Sequence, residues 1–224
     1  MKAVYVFALT GRAIPSFTVD KHRVEFIELG GVHAAIERLT DRPTVSETSL
    51  RTQHDIVMRI FDNIEDVVPA RFGALIEEGE LRDILAARRS VIQEALTLVR
   101  GRVQMTVRFR EAPESMPARK ESMPGRNPSG ANGAMSGTAY LEARRSAART
   151  MMPVLAGVVS TAVADLTIAE RSEPATERTH AALYHLIDRS QVVRYSDALS
   201  RLQSPAVSVS GPWPPFAFAP DLWP

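Results

Sequence analysis

The chain contains no cysteine. That excludes a disulfide framework, thiolate metal sites, iron–sulfur clusters and a cysteine nucleophile, and leaves the redox compartment open. It also lacks a dominant charge. The 27 basic and 26 acidic residues leave a net charge of +1, too small to draw the whole molecule to nucleic acid or an anionic membrane. Lysine is nearly missing, with 3 against 24 arginines, which reads first as a GC-rich coding bias. Long apolar runs are missing too. The uncharged stretch from Thr150 to Ala164 is shorter than a membrane span and contains Pro153, and Gln203 to Pro220 is interrupted by prolines. Lys2 followed by Ala3 to Leu9 is the bare minimum of a signal-peptide core and lacks a clear cleavage site. A buried first strand and a cytoplasmic protein are the better expectation. Aromatics make up only 6% of the chain, and both tryptophans fall in its last 12 residues.

What is present is ordinary globular material: 224 residues, 45% hydrophobic and 24% charged, enough for one large domain or two small ones. Val4-Tyr5-Val6-Phe7 and Val24 to Leu29 read as strands, the second ending at the turn signal Gly30-Gly31. Val32 to Ile36 is a third short strand or a helix start. Leu50, Val57, Phe61 and Ile64 recur at helical spacing. Val67 to Gly73 reads as a short strand entering a turn. Leu81, Ile84, Leu85, Ile92, Ala95, Leu96 and Val99 then share one face of a single long helix, stopped by Gly101. Strict alternation of Val103, Met105, Val107 and Phe109 with polar residues predicts a half-buried strand.

Residues 111–137 lose all periodicity, holding four prolines and four glycines, and read as a flexible loop. A helix is expected from Thr138 to about Ala169, kinked or split at Pro153. A strand at about Thr179 to Ile187, a helix from Ser190 to Leu202 and a strand from Ala206 to Val209 complete the chain. With one extra short strand near Ala175, the order from residue 102 is βαββαβ, the ferredoxin-like order.

No residue cluster points to catalysis. The five histidines show no paired-ligand spacing, and His180 and His185, five apart on an expected strand, point to opposite faces. They read as surface or partly buried side chains. Asp62, Glu65 and Asp66 read as a solvated helix end. The glycines at 125, 130, 133 and 137 lack the Lys-Ser/Thr pair of a phosphate-binding loop. Residues 100–149 carry ten basic and four acidic side chains, but their only aromatics are Phe109 and Tyr140, which makes no stacking platform for RNA. No metal and no cofactor are expected. The tail differs: Gly211-Pro212-Trp213-Pro214-Pro215-Phe216-Ala217-Phe218 is an aromatic cluster stiffened by proline. It reads as a latch on the chain's own core, or as a partner surface. Trp213 and Phe216 are the expected anchors.

This tail resembles the GPWPPYSF signature of the gas vesicle protein GvpL/GvpF family. Three further stretches match in order. Val68 to Gly73, with Arg71, Phe72 and Gly73 at its end, is similar to VLPxRFG. Gly101 to Val107 is similar to the GxxEwxVK strand. Ser136 to Leu141, containing Tyr140, is similar to SGxAYL. The sequence departs from the pattern at Phe216-Ala217 in place of Tyr-Ser, at Gln104 in place of Glu, and at Pro153.

The resemblance implies an α+β protein of two domains, residues 1–100 and 101–224, the second a modified ferredoxin-like fold. It implies a non-enzymatic accessory protein of gas vesicle formation that associates with the hydrophobic shell protein GvpA. Such a protein would aid assembly or remain as a minor vesicle component. Arg71, Phe72, Gly73, Tyr140, Trp213, Pro214, Pro215 and Phe216 are then the candidate partner-binding or family-motif residues. Binding is expected near the interdomain groove, with loop 111–137 over it. A regulatory RNA-binding module using the basic stretch is the alternative.

Overall fold

The computed structural model describes residues 3–110, 152–176 and 179–223. The expected loop 111–137, Tyr140 and the expected helix over 138–151 lie outside these. Among the described residues, ten strands form two sheets, accompanied by five α-helices.

The first sheet is built around β1, Ala3–Thr10. Seven of its eight residues are buried, because neighbours cover both faces. Its order is β2 (Phe17–Val19), β3 (His22–Leu29), β4 (Val32–Arg38), β1, β5 (Val67–Pro69), with β6 (Leu75–Glu77) also pairing β1. Every pairing is antiparallel. Gly30 and Gly31, at φ 63° and 81°, make the β3–β4 hairpin turn, so Val32–Arg38 is a strand. A bulge between Val6 and Ala8 puts the successive residues Phe7 and Ala8 on the same side.

Helix α1, Glu47–Asn63, starts at a reciprocal serine cap. Ser46 Oγ accepts the Ser49 N–H at 3.1 Å, and Ser49 Oγ accepts the Ser46 N–H at 3.0 Å. Its buried stripe is Gln53, Ile56, Val57, Ile60 and Phe61. Leu50, expected on that stripe, faces solvent at 46% exposure.

The single helix expected through Val99 is two: α2, Glu78–Ala87, and α3, Arg89–Val99, broken at Arg88. Residues 86–91 are all exposed, so little packing holds the helix straight there. The apolar residues that were expected to face the core do so on either side of the break, with Ile84 only partly covered.

The second sheet runs β10 (Val207–Trp213), β7 (Arg102–Phe109), β9 (Ala182–Asp188), β8 (Thr167–Glu173). All its pairings are antiparallel. Helix α4, Val154–Ala162, follows Pro153, which occupies its N-cap. A helix reaching Ala169 is not formed. The chain leaves α4 at Val163 and the β-branched Thr167 and Ile168 begin β8, the extra strand expected nearer Ala175. Helix α5, Val192–Ser200, lies between β9 and β10 in the chain. The element order from residue 102 is thus β7-α4-β8-β9-α5-β10.

Both faces of β7 are covered, where one was expected. Val103, Met105, Val107 and Phe109 pack with α4, α5 and α1 in one apolar cluster. Gln104 and Thr106 on the other face are also buried, under the C-terminal tail. Each of the two apolar clusters takes residues from both sides of residue 100. No helix among the described residues is long and apolar enough to cross a membrane.

Candidate functional site

The candidate site begins at the turn between β5 and β6. Pro69 pairs with Ala8 of β1, and the Ala70 N–H donates to the Phe7 carbonyl at 2.8 Å. The chain then reverses through Arg71, Phe72 and Gly73. Gly73 has φ 89°, a conformation that a side chain disfavours. Its N–H donates to Tyr5 Oη at 2.9 Å. The Tyr5 hydroxyl donates to Gln53 Oε1, and Gln53 Nε2 donates to the Ala70 carbonyl at 3.2 Å. A buried tyrosine and a buried glutamine therefore hold both ends of the turn. Burial pushes the Tyr5 phenol up, partly offset by the Gly73 N–H.

Phe72 is only half-buried, edge-on to Tyr5 with ring centroids 6.3 Å apart. Arg71 projects into solvent, where its Nη1 lies 3.3 Å from Asp221 Oδ1.

The tail returns to this turn from the opposite end of the chain. Gly211 has φ 129°, and a Cβ there would sit 2.8 Å from the Gln104 carbonyl oxygen and 2.9 Å from Met105 Sδ. The Gly211–Pro212 peptide is cis. Trp213, paired with Gln104 across the second sheet, is half-buried and packs edge-on to His54 of α1, centroids 5.6 Å apart. Pro214 and Pro215 are buried.

A single 3₁₀ turn over Phe216–Phe218 then sorts the two phenylalanines. The Ala217 N–H donates to Gln104 Oε1 at 2.7 Å. With position 217 so fixed, Phe218 turns inward at 4% exposure and Phe216 outward at 38%. The expected anchor Phe216 is therefore a surface residue. Phe218 and Leu222 are the buried ones, in the same cluster as Val68, Ala70 and Leu186. The Arg171 guanidinium lies 5.7 Å from the Phe218 ring centroid.

Where tail and turn meet there is a cleft of about 160 Å³, lined by Arg42, Arg71, Phe72, Gly73 and Trp223 among others. Trp213 to Phe216 and Arg71 to Gly73 thus belong to segments that the fold brings together. Tyr140 lies outside the described residues.

The remaining candidates settle into structural places. His180 is exposed, just before β9. His185, expected at or near the surface, is fully buried. Its Nδ1 lies 2.5 Å from Tyr195 Oη and its Nε2 2.8 Å from Glu170 Oε2, which also accepts from Ser160 Oγ at 2.6 Å. This network ties β9 to β8, α4 and α5. Desolvation holds the His185 pKa below its ordinary value, Glu170 opposing it, and pushes the Tyr195 phenol up. The signal was in the sequence: residues 183, 185 and 187 share the inner face of one strand.

Asp62 and Glu65 are solvated as expected, but Asp66 is buried and pairs with Arg100 at 3.2 Å. Arg102 of the basic stretch pairs with Asp188 at 3.7 Å. No group of three or more His, Asp or Glu that could hold a metal occurs among the described residues.

The family model described as gas vesicle synthesis protein GvpL/GvpF matches residues 3–220. No curated protein sequence matches the chain significantly. Among solved structures, gas vesicle protein GvpF from Anabaena sp. PCC7120 is similar, with a TM-score of 0.71 at 13% identity, covering 99% of this chain and 97% of that one. Gas vesicle protein GvpF from Microcystis aeruginosa has a TM-score of 0.69 at 14% identity, covering 97% of this chain and 99% of that one. At such identities the two structures speak for the fold, and the family match speaks for the sequence. The mixed α/β architecture agrees with both structures, the family match spans nearly the whole sequence, and this chain belongs to the gas vesicle GvpL/GvpF family.

Proposed function

We propose that this chain is a non-enzymatic accessory protein of gas vesicle formation that binds the shell protein GvpA. It either aids assembly or stays as a minor vesicle component, in the cytoplasm and at the vesicle. The observation that carries this reading is the family match across residues 3–220. The meeting of the RFG turn with the tail supports it. The RFG turn and the end of the tail, far apart in sequence, meet at an accessible surface through Arg71–Asp221 and the cleft beside Trp223. A shell subunit with an apolar gas-facing side is an aggregation hazard before it assembles, and a soluble partner that covers it needs surface rather than a catalytic pocket.

We read the architecture as two domains, 1–100 and 101–224, fused through shared apolar clusters, the second a modified ferredoxin-like fold. Its βαββαβ order and β10-β7-β9-β8 sheet support that reading. The test is a pull-down with the full chain as bait and GvpA co-expressed. Capture that survives nuclease treatment is the expected result. Failure to capture GvpA, or capture of RNA in its place, overturns the proposal.

A further inference from the structure

The cleft between Arg42, Arg71 and Trp223 has the chemistry of a carboxylate receptor. We propose that it binds an aspartate or glutamate side chain presented by a protein partner, and that Asp221 of the tail is its built-in competitor. This deepens the binding role proposed above and rests on it.

Arg42 forms no hydrogen bond or ion pair among the described residues, yet it lies against the RFG turn, 3.8 Å from where a Gly73 Cβ would stand. Arg71 has one acidic partner, Asp221, at 3.3 Å, and the two side chains are 75% and 68% exposed. Such a pair is weakly held and easily exchanged. A guanidinium matches a carboxylate through parallel N–H donors, so one arginine without an acceptor beside another with an exchangeable one favours this anion.

The walls fit as well. Trp223 and Phe72 give aromatic surface for the methylenes of an acidic side chain, and Leu75 and Ile76 add apolar lining. At about 160 Å³ the cleft is smaller than the roughly 300 Å³ at which drug-sized ligand sites begin, which argues against a nucleotide. Asp221 already places a carboxylate oxygen on Arg71, so this guanidinium takes such a partner and Asp221 would compete for it. Tyr5 and Gln53 hold the turn from below, so the arginine rises from a fixed backbone.

The test is titration of the ¹⁵N-labelled full chain, following the indole N–H of Trp223, assigned with the Trp213→Phe variant. The probes are an end-blocked hexaglutamate peptide, its hexaglutamine counterpart, acetate and inorganic phosphate. Hexaglutamate is expected to move the Trp223 resonance to saturation, and hexaglutamine is not. Arg42→Gln and Arg71→Gln should each weaken binding by about fivefold or more, and Asp221→Asn should tighten it about threefold by removing the competitor. Both arginines are exposed, so the variants should keep the parent's melting temperature and spectral dispersion.

Equal shifts from hexaglutamine, or unchanged binding in the double arginine variant, overturn the proposal. Acetate binding as tightly as the peptide would assign the cleft to free carboxylates. Phosphate doing so would make it a general anion site. Either result overturns the commitment to a protein carboxylate. The titration contains no shell protein, so its failure is separable from failure to capture GvpA.

Discussion

Replacing Phe218 by alanine should destabilise the protein far more than the same change two residues earlier. Phe218 is 4% exposed and packs in a cluster that includes Val68, Ala70, Leu186 and Leu222, while Phe216 is 38% exposed. Removing a buried phenylalanine side chain costs about 3–5 kcal/mol, the lower figure applying where the surroundings can close in. The tail is tied here by the Ala217–Gln104 hydrogen bond but is otherwise an irregular segment that can follow the void, so about 3 kcal/mol is the expectation. For a chain of this size each kcal/mol lowers Tm by about 2–4 °C, giving a fall of about 6–12 °C. Phe216→Ala, at the surface, should stay within about 0.5 kcal/mol of the parent. Calorimetry and urea denaturation on the two variants make the comparison. If Phe218→Ala melts within about 2 °C of Phe216→Ala, the tail does not latch the second cluster as described.

Three other measurements probe the frame. Gly211→Ala meets the Gln104 carbonyl oxygen at 2.8 Å at a φ of 129°, so a loss of about 2 kcal/mol or more in urea denaturation is expected; an unchanged midpoint would refute the close approach. Tyr5→Phe leaves the Gly73 N–H and the Gln53 carbonyl oxygen without their hydroxyl partner and should cost about 1–3 kcal/mol, read by the same method, whereas a neutral change would mean water replaces it. The His185 pKa is depressed in the folded state, so the unfolded chain takes up its proton first as pH falls. That contribution to stability is complete above the unfolded value of about 6.5 and is lost as pH drops from there toward the folded pKa. His185→Gln should flatten the stability profile in that window, and a parallel profile would remove His185 as its source.

Much of the fold was legible because its signals are local. The β-branched and aromatic run at Val4 to Phe7, the alternation at Val103 to Phe109 and the Gly30-Gly31 turn each follow from the conformational preferences of a few neighbouring residues. The stretches Arg71 to Gly73 and Gly211 to Phe218 were legible as strings that resemble a family pattern, and the demand for glycine at position 211 is a physical content that only the structure supplies. What tertiary structure alone decided is contact between distant segments. β7 has two buried faces because a tail more than a hundred residues later lies across Gln104. The helix through Val99 breaks at Arg88 where residues 86–91 are all exposed and little packing holds it straight, a fact about neighbours rather than propensity. Phe218 rather than Phe216 enters the core because one hydrogen bond to Gln104 sets the rotation of the turn. His185 is buried because α4 and α5 bring Ser160 and Tyr195 to it and to its partner Glu170. The cleft at Arg71 exists only where the turn after β5, β6, Arg42 and the tail converge. Periodicity reports which face of an element is apolar, and only the packed structure reports what comes to cover it.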